Sequence, residues 1–324
     1  MKNLSRLFRI VLTYVLLIAS NSYADPSKTS IQIVVPTAAE GSTDQLARIL
    51  GAGMQDRGVG NVEVVNMPGN SGAIAANFVA NAKPDGRTLL IATPSSHSIA
   101  KALSVANKTS LAYDPVASFS IISCFAKAPY IFVVSGDGQK SFGAFVDEAR
   151  KSNSTIKYSS TGVGGPHHLI AEYLFNTLDL KVQHVPAAGG AKAIEMVNKN
   201  QVAAMMPASI LAIPQIQSGQ IQALAITGEQ HLSVLPKVPT FKELNISLYL
   251  ESWYGLMGPS GLAQKQVEDF ANVIQLIMQD PLTKKKVESL GINVVDIRDK
   301  AFVQMIEEET AIWQAVAKST MTTN

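Results

Sequence analysis

Short apolar runs alternate with amphipathic segments along most of the chain. The first run, residues 31–35, ends at Pro36, and a short loop then leads into a segment whose apolar residues recur at helical spacing. This pattern predicts a buried strand, a tight loop and a helix. Its repetition predicts an α/β fold with mainly parallel sheets, whose ligands collect where the strands end.

The other segments follow the same rules. We predict strands at residues 31–35, 62–65, 88–92, 156–159, 182–185, 202–206, 221–227 and 253–257, and helices at 73–82, 142–150, 169–178, 191–198, 210–217, 264–278, 281–290 and 300–318. Two close apolar runs, 121–126 and 130–134, indicate that the chain leaves one sheet for another. The predicted domains are therefore a discontinuous lobe of residues 25–125 plus 228–324 and an inserted lobe of residues 126–227.

The N-terminal residues have the pattern of an export signal. Basic residues precede the apolar run 10–19, and small residues ending at Ala24 fit a signal-peptidase site. We therefore predict a signal peptide at residues 1–24 and a mature chain that begins at Asp25. An uncleaved anchor is the alternative, but the run is too short to span a bilayer.

The net charge of the predicted mature chain differs from that of the full sequence. The formal charge is +2 for the whole chain and falls to −1 without the three basic residues of the signal. A nearly neutral mature chain without a basic stripe argues against nucleic acid as a partner. The single cysteine, Cys124, excludes an intrachain disulfide, and its apolar neighbours predict a small buried side chain.

The loop before the first predicted helix has the chemistry of an anion site. Gly41, Ser42, Thr43 and Asp44 stand where a helix leaves N–H groups unpaired and carries the positive end of its macrodipole. Two hydroxyl groups add further donors. The alternative is that these residues only cap their own helix.

A second loop, residues 158–168, has matching chemistry. Its three glycines allow close approach of backbone N–H groups, and Ser160 and Thr161 bring hydroxyls. The loop completes neither a dinucleotide fingerprint nor a Walker motif. The alternative is a glycine-rich turn that packs a strand on a helix.

The sequence gives little support to a metal site or a hydrolase site. His167 and His168 are adjacent, so on a helix they diverge by about 100° and rarely ligate one metal; we expect a histidine that hydrogen-bonds the loop or caps the helix. The segment around Ser71 departs from the G-x-S-x-G hydrolase motif, because Ala73 replaces the last glycine. We therefore predict no catalytic residues, no metal and no cofactor.

In order, these motifs resemble the periplasmic substrate-binding proteins of tripartite tricarboxylate transporters, often called Bug proteins. The resemblance covers essentially the whole mature chain. Its marks are Val34-Val35-Pro36 with residues 41–44, Asn66-Met67-Pro68-Gly69, Lys83-Pro84-Asp85-Gly86, Tyr113-Asp114-Pro115-Val116, residues 158–164, His168, His184-Val185-Pro186, residues 223–227, Pro239-Thr240 and residues 252–256.

The resemblance implies a two-lobed, type II-like periplasmic binding protein with its ligand cleft between the lobes. It implies a non-catalytic monomer that delivers a small organic acid to membrane transporter subunits. The alternatives are a periplasmic sensor that feeds a signalling receptor and a periplasmic hydrolase using Ser71 and His168. Carried over by position, the ligand-binding residues are Gly41, Ser42, Thr43, Asp44, Thr93, Ser95, Ser96, His97, Ser160, Thr161, Gly162, Gly164, Gly165, His168, Pro207, Ala208 and Ser209.

The chain departs from the family pattern at three places. Ala39-Glu40-Gly41 replaces Pro-Gly-Gly, Ala187-Ala188 replaces Tyr-Lys, and Pro207-Ala208 replaces Asp-Asn. A ligand carboxylate about 8 Å from Glu40 would feel roughly 2 kcal/mol of repulsion at an effective dielectric of 20. We therefore expect a mono- or dicarboxylate, amino-acid-like or amide-bearing, rather than a tricarboxylate. The alternative is that Glu40 points into solvent.

Overall fold

The computed structural model describes residues 30–152 and 154–321 of the 324-residue chain. The predicted signal peptide lies outside these residues. The strands are β1 (Ser30–Val35), β2 (Asn61–Asn66), β3 (Thr88–Ala92), β4 (Phe119–Pro129), β5 (Ile131–Ser135), β6 (Ile156–Ser160), β7 (Val182–Pro186), β8 (Ala204–Met205), β9 (Ile221–Ile226), β10 (Glu251–Pro259) and β11 (Asn293–Ile297).

The helices pack around these strands. They are α1 (Ser42–Asp56), α2 (Ala73–Ala80), α3 (Ser98–Ala106), α4 (Phe142–Ser152), α5 (Pro166–Thr177), α6 (Gly190–Asn198), α7 (Ser209–Gln217), α8 (Gln264–Gln279), α9 (Pro281–Glu288) and α10 (Asp299–Met321). A short 3₁₀ turn, Asn70–Gly72, leads into α2. The sequence patterns did not predict α3 and β11.

The strands form two mixed sheets. The first has the order β11-β4-β10-β3-β1-β2, and the second has the order β7-β6-β8-β5-β9. In the first sheet β1 is parallel to β2 and β3, but β10 is antiparallel to β3 and β4, and β11 is antiparallel to β4. The α/β fold class is confirmed, whereas the expectation of mainly parallel sheets is wrong. Strands that return from the C-terminal part enter the first sheet in the opposite direction.

Alternation along β1 builds a core on both faces of the first sheet. Ile33 and Val35 belong to one buried layer and Val34 to the other, because successive strand side chains point to opposite faces. Leu46 and Leu50 of α1 are fully buried at helical spacing in the first layer. Burying each of these leucines stabilises the fold by roughly 1.5–3 kcal/mol. Cys124 is buried in β4, as predicted.

The chain crosses between the sheets at two adjacent points. β4 remains paired with β10 as far as Pro129, so the predicted boundary after Phe125 falls inside a strand of the first sheet. Tyr130 N–H donates to Thr227 Oγ1 at 2.9 Å, and Thr227 N–H donates to the Tyr130 carbonyl at 2.8 Å. The outgoing and returning segments are therefore held together, and α10 also packs against both α3 and α5. The division into two lobes stays a prediction.

Candidate ligand-binding site

A cavity of about 230 Å³ lies between loops of the two sheets. At about 30 Å³ per water molecule, this volume suits a small solute. Loops after β1, β2 and β3 form one wall, and the loop after β6 forms the other. None of the described lining residues carries a charge; they are Pro36, Thr37, Gly69, Ser71, Gly72, Thr93, Ser95, Thr161, Gly162, Val163, Gly165 and Pro166.

A larger cavity of about 590 Å³ lies at the other end of the second sheet. Its acidic side chains already have partners, since Ser135 Oγ donates to Asp137 and Gln139 donates to Glu148. Its lining comes from the inserted segment alone. We place the candidate site in the smaller cavity because both sheets contribute to it at the ends of their strands.

Asp44 supports the first loop from inside the protein. Its side chain is only 2 % exposed and accepts hydrogen bonds from Glu40 N, Asn66 Nδ2 and Arg48 Nε, each at 2.9 Å. Burial alone would raise the pKa of Asp44, but the hydrogen bonds from Arg48, Asn66 and the Glu40 backbone outweigh it and lower that pKa. Because its oxygens are occupied, Asp44 shapes the loop and does not line the cavity.

The neighbours of Asp44 also lie outside the cavity lining. Gly41 is the N-cap of α1, Ser42 Oγ lies 3.5 Å from the Tyr254 hydroxyl, and Thr43 is buried. Glu40 is exposed and also lies outside the lining. Glu40 exposure agrees with the alternative in which its carboxylate points into solvent.

Thr37 lines the cavity from the first loop. Its Oγ1 is buried and has no hydrogen-bond partner among the described residues. An oxygen without accessible surface does not meet a solute, so Thr37 lines the cavity with its other atoms. Sequence reasoning missed Thr37, although its position directly after β1 was the available signal.

The loop after β3 divides into lining and supporting residues. Thr93 and Ser95 line the cavity, whereas Ser96 and His97 are fully buried behind it. Ser96 Oγ accepts from Thr93 N–H at 3.2 Å and lies 2.9 Å from His97 Nδ1. His97 packs against three aromatic rings, and burial lowers its pKa to about 3. Ser96 and His97 therefore hold the loop in shape.

Two histidines support the loop after β6. Gly164 N–H donates to His168 Nδ1 at 3.1 Å, which confirms the prediction of a histidine that hydrogen-bonds this loop. Ser160 is fully buried; its Oγ donates to the Gly162 carbonyl at 2.9 Å and lies 2.7 Å from His184 Nε2. Burial, with a smaller effect from His168, lowers the pKa of His184 to about 4. Of the predicted residues in this loop, Thr161, Gly162 and Gly165 line the cavity.

His167 connects this loop to the segment before α7. Its Nδ1 lies 2.8 Å from Thr161 Oγ1, and its Nε2 accepts from Ala208 N–H at 3.3 Å. Burial lowers the pKa of His167 to about 4. The imidazole is therefore neutral near pH 7.

The predicted residues before α7 are buried and lie outside the cavity lining. The Pro207 carbonyl accepts from Ile131 N–H at 2.9 Å, and Ser209 Oγ donates to the Gly291 carbonyl at 2.6 Å. The first contact lies within the inserted segment, and the second ties that segment to the rest of the chain.

The 3₁₀ turn before α2 contributes lining residues that sequence reasoning also missed. Ser71 has a φ of 52°, and Gly72 has a φ of 93°. A Cβ atom on Gly72 would lie 2.9 Å from Pro36 Cβ, so only glycine fits between these two loops. Gly69 and Gly72 in one loop after a predicted strand were the available signal.

Among the described residues, the side chains considered for hydrolysis or metal binding are not arranged for either role. Ser71 lines the cavity, but His168 Nδ1 is occupied by Gly164 N–H, and no hydrogen bond joins the two side chains among the described residues. Residues 30–152 and 154–321 contain no group of three or more His, Cys, Asp or Glu placed to hold a metal ion.

A small uncharged cavity between loops of two α/β sheets is typical of a solute-binding protein. The chain belongs to the family described as "Tripartite tricarboxylate transporter family receptor", whose model matches residues 46–321. This confirms the resemblance stated above, and it makes the chain a receptor for a transporter rather than an enzyme. Within the described residues, no helix is long and apolar enough to cross a membrane.

Individual relatives agree with this assignment. The UPF0065 protein in the TAR-I ttuE-ttuC' intergenic region of Agrobacterium vitis is 28% identical over 291 residues, which is 89% of this chain and 82% of the relative. A solved periplasmic transporter has a TM-score of 0.80, 29% identity and coverage of 90% and 97% of the two chains. The periplasmic binding protein BugD has a TM-score of 0.77, 26% identity and coverage of 90% and 97%. MatC from Rhodopseudomonas palustris with bound malate has a TM-score of 0.76, 25% identity and coverage of 89% and 98%.

Proposed function

We propose that this protein captures a small mono- or dicarboxylate in the 230 Å³ cavity and delivers it to the membrane subunits of a tripartite tricarboxylate-type transporter. Family membership and the malate bound by the similar protein MatC support this proposal. The observation that carries it in this chain is an uncharged cavity wall to which both sheets contribute hydroxyl-bearing residues.

The cavity wall offers donors from both sheets. Ser71 and Ser95 contribute hydroxyls from one side, and Thr161 contributes one from the other. Gly165 and Pro166 begin α5, so the positive end of that helix also borders the cavity. A carboxylate accepts about four hydrogen bonds, each contributing roughly 1.5–3 kcal/mol when a charged group takes part.

The described cavity wall contains no basic side chain, which limits how many ligand charges the wall stabilises. One carboxylate is compensated by hydroxyl and helix dipoles, whereas each further carboxylate needs its own donors or water. Glu40 is exposed and lies outside the lining. We therefore attribute the preference for ligands with few negative charges to the lack of a basic side chain in the described lining. A tricarboxylate is therefore the poorest ligand of the series.

Isothermal titration with the mature protein tests the proposal against acetate, malate, adipate and citrate. Ser95→Ala removes a hydroxyl from the cavity wall and should weaken carboxylate binding by about 10- to 100-fold, as expected for a lost hydrogen bond to a charged group. The ligand-free variant should melt at nearly the same temperature as the wild type, because Ser95 is partly exposed. Ser110→Ala, at an exposed serine, is the matched control.

Unchanged affinity in Ser95→Ala, or the absence of any carboxylate binding by the wild type, would refute the proposed site. Delivery is tested by capture of the membrane subunits with ligand-loaded protein. We also propose that the exported protein is a monomer that starts at Asp25, which intact-mass measurement and light scattering on periplasmic extracts check. Binding to a receptor kinase without binding to transporter subunits would favour the sensor alternative.

A further inference from the structure

We propose that His167 is a positioning residue that fixes Thr161 as a hydrogen-bond donor toward the ligand. This inference rests on the proposed function and specifies how one side of the cavity recognises a carboxylate. His167 itself does not line the cavity, so it acts through Thr161.

The first step concerns the imidazole proton. Ala208 N–H is a backbone donor, and it points to His167 Nε2 at 3.3 Å. Nε2 must therefore be the unprotonated nitrogen of the ring. A neutral imidazole carries one proton, which leaves it on Nδ1.

The second step concerns the threonine hydroxyl. His167 Nδ1 lies 2.8 Å from Thr161 Oγ1, so with the proton on Nδ1 the Thr161 oxygen accepts this bond. The single hydroxyl proton of Thr161 is then free to be donated elsewhere, and Thr161 lines the cavity. A carboxylate oxygen matches that donor. The arrangement therefore leaves the Thr161 proton available to an acceptor on the ligand.

The third step shows what holds His167. Its ring packs edge-on against Tyr130, with centroids 5.8 Å apart and planes at 82°. Tyr130 lies where the chain crosses between sheets, and its backbone is bonded to Thr227. In contrast, His168 bonds to a backbone N–H and His184 lies near Ser160, which is outside the cavity lining. Of the described histidines, His167 is the one bonded to a lining hydroxyl.

A matched pair of variants separates the two ring nitrogens. His167→Asn places an amide donor near the Nδ1 position and keeps the bond to Thr161, whereas His167→Gln places an amide near Nε2 and keeps only the bond from Ala208 N–H. We expect malate or adipate affinity to fall on the order of tenfold in His167→Gln and by less than about threefold in His167→Asn. A purely structural role for the ring predicts equal losses, which would overturn the proposal.

A double-mutant cycle with Thr161→Val gives the decisive readout. If His167 acts through the hydroxyl, His167→Gln has no further effect on affinity in the Thr161→Val background. An equal loss in both backgrounds would overturn the inference. Should His167→Gln fail to fold, ¹⁵N NMR of the wild-type imidazole still tests it, because a proton on Nε2 contradicts it. Failure of the proposed function is distinct, since then the wild type binds no carboxylate.

Discussion

Replacing Asp44 by Asn tests whether this residue supports the loop rather than binding ligand. The carboxylate accepts three hydrogen bonds, from Glu40 N, Asn66 Nδ2 and Arg48 Nε. An amide keeps one acceptor oxygen and turns the other position into a donor. At least one of these groups then faces another donor in a site where the side chain is 2 % exposed.

The expected loss follows from these contacts. A donor left without an acceptor in such a site costs about 1–3 kcal/mol. Arg48 is more than half exposed, so its ion pair adds at most about 1 kcal/mol. We therefore expect the free energy of unfolding to fall by about 2 kcal/mol. For a chain of this size, that lowers the melting temperature by about 3 °C.

Urea unfolding and thermal melting of the ligand-free protein measure this loss, and Asp56→Asn at the exposed end of α1 is the control. The pKa of Asp44 is lowered on folding, so its contribution is present above 3.8, the unfolded value, and is lost as pH falls through the lower folded pKa. The difference between wild type and variant should therefore shrink below pH 3.8. Equal stability of the two Asn variants at pH 7 would refute the supporting role.

Three further changes test other parts of the site. Gly72→Ala should lower the free energy of unfolding by about 2 kcal/mol more than Gly58→Ala, because both have positive φ but only Gly72 crowds Pro36. Ser209→Ala should destabilise the ligand-free protein by about 1 kcal/mol in urea unfolding, since it removes a buried 2.6 Å hydrogen bond. The pKa of His184 falls from 6.5 to about 4 on folding, so its stabilisation is complete above pH 6.5 and is lost toward pH 4; His184→Gln should flatten the melting-temperature profile over that range.

Each of these expectations has a contrary result. Equal losses at the two glycines would mean that backbone strain alone is being measured. An unchanged midpoint for Ser209→Ala would show that its contact adds nothing, and an unchanged pH profile for His184→Gln would place the acid sensitivity elsewhere.

Local pattern predicted most of the elements, because each depends on its own residues. The strand at 88–92 and the start of α8 at Gln264 agree with the structure. α3 was missed because its two flanking segments, rich in small and polar residues, resemble a loop. The mixed sheet order depends on pairing of β10 with β3 and β4, which joins segments far apart in the chain. No local periodicity encodes that direction.

The site was predictable by region more than by residue. Strand ends located the loops that meet at the cavity, and Thr93, Ser95 and Thr161 were among the predicted residues that line it. Pattern alone does not say which of several adjacent polar residues turns inward. Asp44, Ser96 and Ser209 have the chemistry of ligand contacts, but each forms a hydrogen bond within the protein.

The uncharged cavity wall has a consequence for how the protein loads. Dipoles and hydroxyls act over only a few ångströms, so the described cavity wall provides no extended field that draws anions in from bulk solvent. The rate of capture then depends on how often the solute reaches the cavity opening by diffusion. The association rate should consequently vary little with ionic strength, and occupancy should follow the surrounding concentration of the acid.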